Sequence, residues 1–281
     1  MGDHGPARVA IQGERGSFSH EAALAALGDD VEIVARTSFD ALVTAVIDGD
    51  ADRGLLPIEN SLAGSIHENY DRLEASSLHI VGECLLRIRQ CLIARPGASL
   101  ASIRRAASHP VALAQCRRFF AEHPRIQAVP AYDTAGSVQD LLRDGAATTA
   151  AIASALAARL YGGQILREAI EDDPQNFTRF LVLARQPGRI EEASKTSLVF
   201  TLKNAPGVLH RALGAFATRG VDLSKIESRP LRGRPWEYAF YVDVLGVPAG
   251  AAGEALRELE GMAEHFRILG SYPEGIAAAT D

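Results

Sequence analysis

The spacing of apolar residues changes repeatedly along this chain, and each change marks an element. Arg8–Gln12 is a short apolar run that predicts a strand, followed by a turn at Gly13–Gly16. Ser17 and Ser19 stand where a helix cap is needed; the helix runs through Glu21–Leu27 and Gly28 stops it. Val31–Ala35 predicts the next strand. Phe39, Leu42, Val43, Val46 and Ile47 then recur at helical spacing behind a Ser38 cap, and Gly49 closes that helix. Gly54–Ile58 predicts a third strand. Strand and helix alternating in this way imply a largely parallel sheet covered by helices.

Leu78–Ala94 reads as one long β run, long enough to pass between two lobes. A second alternation follows: strand near Arg105–Ser108, helix Val111–Glu122, strand Ile126–Pro130, helix Thr134–Arg143, strand near Thr149–Ile152, helix Ser154–Leu160. Phe177–Ala184 is one more apolar strand, returning to the first lobe. Two α/β lobes joined by crossing strands make a cleft, a usual place for a small ligand. Gln186–Ser194, with Pro187, Gly188 and a Glu pair, reads as a linker. Beyond it, strand Thr196–Leu202, helix Gly207–Thr218, strands Leu223–Arg229 and Tyr238–Leu245, helix Gly250–Leu259 and strand Phe266–Gly270 follow the ferredoxin-like βαββαβ order.

Composition narrows the function classes. A length of 281 residues suits two domains, and 47% hydrophobic with 23% charged residues is ordinary for a globular protein. The net charge of −6 gives no basic footprint for nucleic acid. No apolar stretch is long enough for a membrane helix, and Met1–Pro6 lacks a signal-peptide core, so a cytoplasmic protein is expected. Cys84, Cys91 and Cys116 have no metal-type spacing and read as buried thiols. No metal-ligand set and no cofactor motif is present, and none is expected.

The candidate chemistry lies in the loops. Gly13–Ser19 offers helix-start N–H groups and two hydroxyls to an anion, and reads equally as a tight turn with a Ser cap. Glu59-Asn60-Ser61 follows the third strand, where an α/β sheet places its ligands; it reads equally as a turn. Ser108-His109-Pro110 precedes a helix, and Gln115, seven residues beyond Ser108, falls on one face with it; a Ser cap and a solvated Gln also fit. His109 suits capping or packing. Asp133-Thr134 has a capping pattern. Asn176-Phe177-Thr178-Arg179-Phe180 puts an amide, a hydroxyl and a guanidinium in an apolar strand, with Arg179 on the face opposite Thr178.

In order and spacing these motifs, with Gly13–Ser19, Pro57–Ser61, Ser108–Pro110 with Gln115-Cys116, and Asn176–Phe180, resemble the prephenate dehydratases. The C-terminal unit, with Glu227-Ser228-Arg229-Pro230 and Pro235-Trp236, is similar to that family's ACT regulatory domain. The resemblance covers about residues 8–272, with no room for a fused chorismate mutase domain. It implies a two-lobed, periplasmic-binding-protein-like α/β catalytic region over 7–185, its second lobe at about 95–165, and a ferredoxin-like ACT unit over 195–273.

It further implies a carbon–oxygen lyase that turns prephenate into phenylpyruvate, CO2 and water for phenylalanine biosynthesis, needing no cofactor. Thr178 is then the donor to the leaving hydroxyl, with Asn60, Ser108 and Gln115 completing the catalytic set. Ser17, Ser61, Thr134 and Asn176 bind substrate, and Arg179 either pairs with a carboxylate or braces its strand. Phenylalanine is the implied effector, held by Asn204, Ala205, Gly207, Val208 and Leu209 with Glu227, Ser228, Arg229 and Pro230, in a homodimer or homotetramer. Gly207-Val208-Leu209-His210 departs from the family's Gly-Ala-Leu-Val, which bears on effector strength and identity. The alternatives are an arogenate dehydratase and a non-catalytic sensor of amino acids.

Overall fold

The computed structural model describes residues 5–231, 233–234, 236–275 and 277–278. In chain order its elements are β1 (Ala7–Gln12), α1 (Phe18–Leu27), β2 (Val31–Arg36), α2 (Phe39–Ile47), β3 (Arg53–Asn60), β4 (Gly64–Ser65), α3 (His67–Ala75), β5 (His79–Arg87) and β6 (Cys91–Ala94). Then come β7 (Arg105–Ser108), α4 (Pro110–Ala114), α5 (Arg117–Glu122), β8 (Gln127–Pro130), α6 (Thr134–Asp144), β9 (Thr149–Ala153), α7 (Ala155–Tyr161), β10 (Gln164–Arg167) and β11 (Phe177–Ala184). The last are β12 (Lys195–Thr201), α8 (Val208–Ala217), β13 (Leu223–Pro230), β14 (Tyr238–Leu245), α9 (Gly250–Met262), β15 (His265–Tyr272) and β16 (Ala277–Ala278). By contact they form two compact units, one of residues 5–66, 84–180 and 277–278 and one of residues 67–83 and 181–275. The chain passes between units after Ile66, within β5 and within β11.

The first unit holds two lobes. In the first lobe β1 lies between β2 and β3, parallel to both, and β11 lies beside β3. Ser38 caps α2 through the Ala41 N–H, as its position predicts. In the second lobe the strand order is β10-β6-β9-β7-β8, with β7 parallel to β8 and β9. Leu92, Ala94, Ala150 and Ile152 pack on one side of this sheet; Cys91, Ile93, Ala151 and Ala153 pack on the other. Burial on both faces is why these strands read as unbroken apolar runs rather than alternating ones. All three cysteines are buried.

Two predicted elements are broken in two. Leu78–Ala94 is not one strand: β5 ends at Arg87, and the next residues turn their backbone away. Ile88 N–H donates to Asn176 O (2.7 Å) and Gln90 N–H to Glu171 Oε2 (2.8 Å). The helix expected over Val111–Glu122 is α4 and α5. Gln115 ends α4, and Asp172 accepts from the N–H groups of Arg117 (3.0 Å) and Arg118 (2.8 Å) to start α5 afresh. α3, β4 and β10 carry no signal strong enough to predict; α3 buries only Asn69, Tyr70 and Leu73.

The second unit is a four-stranded antiparallel sheet, β13-β14-β12-β15, with α8 and α9 packed on one face around Leu198, Phe200, Phe216, Val242, Leu256 and Leu259. α3 serves the other face. Tyr241 donates to Glu74 (2.7 Å), Arg229 pairs with Asp71 (3.0 Å), and Arg267 donates to the carbonyls of Glu74 and Leu78 (2.5 and 3.0 Å). Arg267 thereby satisfies the Glu74 carbonyl that the end of α3 leaves unbonded. The buried Lys195 pairs with Glu83 at 2.7 Å.

The two lobes of the first unit meet at Gly16. Ser154 Oγ donates to Gly16 O (2.6 Å) and Tyr161 OH to Arg15 O (2.8 Å). Gly16 has φ +88°, and a Cβ there would lie 2.9 Å from Ala157 Cα. Gly16→Ala is expected to lower stability by about 1–3 kcal/mol through the left-handed backbone alone, and more through the lobe contact. Urea unfolding checks this, and an unchanged midpoint would contradict it.

Candidate active site

β3 ends at Asn60 and β11 begins beside it, and the Asn60 side chain ties the two together. Its Oδ1 accepts from the N–H groups of Leu62 (3.0 Å) and Ala63 (2.9 Å), which fixes the amide orientation. Its Nδ2 then donates to Asn176 Oδ1 (2.7 Å), Thr178 Oγ1 (3.0 Å) and Phe177 O (3.1 Å). Thr178 is 9% exposed and Asn176 fully buried. Because Thr178 Oγ1 accepts from Asn60, its own proton is left for another acceptor. A donor amide behind a hydroxyl also polarises that O–H bond. Ser61 braces the same junction: its Oγ donates to Gln175 O (2.7 Å) and accepts from Phe177 N–H (2.9 Å). Arg179 is half-buried on the other face of β11.

Ser17 occupies the cap position of α1, as predicted, but its hydroxyl makes no cap bond. Instead, among the described residues, Ser17 Oγ is buried without a partner, as are Asn176 Nδ2 and Gln90 Oε1. Buried polar atoms left unpaired are rare and costly, and here they point to a polar ligand that pairs with them. The loop before Ser17 is held by His20, whose Nδ1 accepts from Gly16 N–H (2.9 Å).

The second lobe holds the remaining predicted residues. Ser108 ends β7 and is fully buried; its Oγ donates to Ile152 O (2.6 Å), so it keeps only acceptor capacity. Ser108 is therefore not on a helix face with Gln115. His109 caps α4, its Nδ1 accepting from Val111 N–H (3.3 Å). Gln115 Oε1 accepts from Gln90 Nε2 (3.4 Å). Asp133 caps α6 through Gly136 N–H (2.7 Å), with Thr134 half-buried beside it. Burial holds the Asp133 carboxyl above its ordinary range, partly offset by the N–H groups of Gly136 and Ala135. Burial also raises Glu21, which accepts from Leu156 N–H (3.2 Å). Among the described residues no hydrogen bond joins Ser108 or Gln115 to the Asn60 junction.

Gln90, Glu171, His20 and Ser154 carry weight that the sequence did not reveal. Gln90 had a faint signal, as an amide inside an apolar run. Glu171 and Ser154 reach Gln90 and Gly16 only through tertiary contacts, and His20 reaches back four residues to Gly16.

In the second unit, Asn204, Ala205, Gly207, Val208 and Leu209 line a cavity of about 310 Å³ with Trp236 and Phe240. Ser228 pairs with Phe240 across the sheet, on the same side. Glu227 and Arg229 point to the opposite face, where Glu227 meets His67 at 3.5 Å. Arg229 and Pro230 line a second cavity of about 410 Å³ with Asp71, Glu74 and Tyr241. The two predicted effector segments thus do not enclose one cavity within one chain. Pro235 lies outside the described residues.

The prephenate dehydratase family model matches residues 9–188, and the ACT domain model matches residues 196–260. The chain belongs to the prephenate dehydratase family. It is an enzyme of that kind, a carbon–oxygen lyase coupling dehydration to decarboxylation, with a C-terminal ACT domain. It is 46% identical over 279 residues to an Arabidopsis thaliana protein named arogenate dehydratase/prephenate dehydratase 2, chloroplastic, covering 95% of this chain and 72% of that one. A prephenate dehydratase from Arthrobacter aurescens, solved in complex with L-Phe, superposes with TM-score 0.86 at 36% identity, covering 95% and 90% of the two chains. A structure described as a novel type of quorum-quenching acylase also gives 0.86, at 38% identity and 95% and 98% coverage.

The helix-start loop held by His20 has a defined pH dependence of stability. Burial, then the Arg15 charge, holds His20 below the ordinary histidine value, so folding disfavours its protonation. Below about pH 6.5 the unfolded chain takes up this proton first, and stability falls as pH falls. His20→Asn keeps an acceptor without the titration. Its urea midpoint is expected to fall less than that of the wild type between about pH 7 and pH 5.5. Parallel pH profiles would contradict the assignment.

Proposed function

We propose that the enzyme converts prephenate to phenylpyruvate, CO2 and water in phenylalanine biosynthesis, and that phenylalanine at the ACT domain restrains it. The observation that carries the catalytic part is the Asn60–Thr178 hydrogen bond, which leaves the Thr178 proton for the substrate. In prephenate the C–CO2 bond breaks and its electron pair enters the ring. The ring becomes aromatic as the C–O bond to the ring hydroxyl breaks, and the departing oxygen keeps that bond's electron pair and takes one proton from solvent to end as water. Aromatisation drives the step, so the protein must hold a dianion and stabilise charge on the leaving oxygen. A Thr hydroxyl is too weak an acid to hand over its proton outright. Thr178 acts by hydrogen bonding to the departing oxygen, a device whose loss typically costs about 10²–10³ in rate. Asn176 Nδ2 and Ser17 Oγ are donors for the substrate's carboxylates. Thr134, Ser61 and Arg179 complete the proposed binding set, with Ser108 and Gln115 on the second lobe.

Arogenate shares the reacting ring and is the second reading, supported by the Arabidopsis relative's name. An acylase reading has less support: a hydrolytic nucleophile needs a base, and the Nδ1 atoms of His20 and His109 already accept backbone N–H groups. The cytoplasm remains the proposed compartment. Purified enzyme with prephenate is expected to form phenylpyruvate, followed by absorbance, with arogenate assayed in parallel. Thr178→Val is expected to lower kcat by about 10²-fold. Wild-type kcat in a folded Thr178→Val variant would contradict the donor role.

For regulation, the cavity at the start of α8 supplies backbone N–H groups for a carboxylate and an apolar surround for a ring. The solved relative with bound L-Phe supports phenylalanine as the effector. The separation of Asn204–Leu209 from Glu227 and Arg229 within one chain suits a site completed by a second copy, in a homodimer or homotetramer. α3 is the route to the active site in this proposal. The turn bearing Asn60 runs directly into it, and Arg229, Glu227 and Tyr241 of the ACT sheet hold it. A coupling of about 1–3 kcal/mol is usual for such regulation. Trp236, the one Trp, lines the cavity, so its fluorescence is expected to change saturably with phenylalanine as activity falls. Asp71→Asn is expected to keep basal activity and the fluorescence change but weaken the inhibition. No calorimetric binding of phenylalanine at millimolar concentration would end this reading.

A further inference from the structure

Gln90 is 1% exposed and sits where the chain crosses into the second lobe. Its backbone is pinned on both sides: N–H to Glu171 Oε2 (2.8 Å) and C=O from Ile170 N–H (3.0 Å). Two residues earlier, Ile88 N–H holds Asn176 O (2.7 Å). Its side chain pairs with Gln115, Nε2 to Oε1 at 3.4 Å, and its own Oε1 is buried without a partner. Gln90 is thus tied to two residues of the proposed substrate wall, to Gln115 by its side chain and to Asn176 through Ile88, and it holds an unused acceptor.

The orientations of the two asparagines are locked. Asn60 Oδ1 takes two backbone N–H groups, and Asn176 Oδ1 takes Asn60 Nδ2. Among the described residues no further side-chain hydrogen bond locks the glutamine pair in the same way. If both amides rotate by half a turn, Gln115 Nε2 donates to Gln90 Oε1, the mutual hydrogen bond survives, and Gln90 presents Nε2 instead. This pair can therefore meet its ligand with an acceptor or with a donor.

One position on the family's substrates asks for that. The carboxylates of prephenate and arogenate want donors only, and the ring hydroxyl is assigned to Thr178. The α-carbon of the three-carbon arm carries a keto oxygen in prephenate, which accepts, and an ammonium in arogenate, which donates. We propose that Gln90, coupled to Gln115, is the residue that contacts this keto or amino group and sets the preference between the two substrates. The inference rests on the dehydratase reading and adds a specificity residue to it.

The test is the ratio of kcat/KM for arogenate to kcat/KM for prephenate in full-length enzyme. Gln90→Glu keeps the acceptor, removes the donor and adds a negative charge. Its ratio is expected to rise on the order of tenfold or more over wild type, because a site polar group left facing the wrong partner discriminates strongly. A ratio within about twofold of wild type would overturn the proposal. Gln90→Met keeps the length without charge and covers the case in which the Glu variant does not fold. It is expected to raise KM for each accepted substrate about tenfold with kcat nearly unchanged, the mark of lost uniform binding. An unchanged KM in a folded Gln90→Met variant would also overturn it. Wild-type protein that converts neither compound would sink the dehydratase reading itself, an outcome distinct from a ratio that ignores residue 90.

Discussion

One side-chain amide organises the candidate site. Asn60 receives two N–H groups from its own turn and so has its Nδ2 aimed at β11, where it reaches Asn176, Phe177 and Thr178. The consequence is chemical as well as structural. It joins the ends of two strands far apart in sequence, and it leaves the Thr178 proton available at a buried position. A carboxylate at residue 60 would supply no donor, and an apolar side chain would leave several buried groups unpaired. The choice of asparagine there follows from needing both an acceptor and a donor in one short side chain.

The rest of the first unit sets what surrounds that junction. β1, β2 and β3 run parallel, so their C-terminal ends lie along one edge, and Ser17 and Asn60 follow those ends. The second lobe brings its own strand ends to the same place through Ser154 on Gly16. Both β3 and β11 lead onward into segments of the other unit, at residues 67 and 181. The candidate site and the ACT sheet are therefore linked by continuous chain, and α3, which follows the turn after β3, is an element that the sheet grips.

Much of this was legible in the sequence because it depends on local pattern. Period-two and helical runs gave most elements, Gly28 and Ser38 marked real boundaries, and the βαββαβ order of the C-terminal unit is as read. Five short polar motifs in order pointed to the family where none alone would. What stayed hidden depends on distant partners. The breaks at Ile88–Gln90 and at Gln115 come from Asn176, Glu171 and Asp172, none of them local. The mostly polar α3 is helical because the ACT sheet's Arg229, Tyr241 and Arg267 hold it, which no periodicity records. Ser108 looked like a helix-face residue and is a strand-end brace, since its hydrogen goes to Ile152 in the neighbouring strand. The role proposed for Gln90 rests on an unpaired atom, and an unpaired atom is visible only once all other partners are placed.

The dependence of Thr178 on Asn60 is open to a direct measurement, a double-mutant cycle in kcat on prephenate. It uses Asn60→Ser, Thr178→Val and the double variant, each shown folded by circular dichroism. If Asn60 acts by presenting the Thr178 hydroxyl, the double variant should be little worse than the worse single variant, with a coupling free energy of about 0.5–3 kcal/mol. Losses that simply multiply would mean that the two residues act independently, and would contradict a catalytic role for their hydrogen bond.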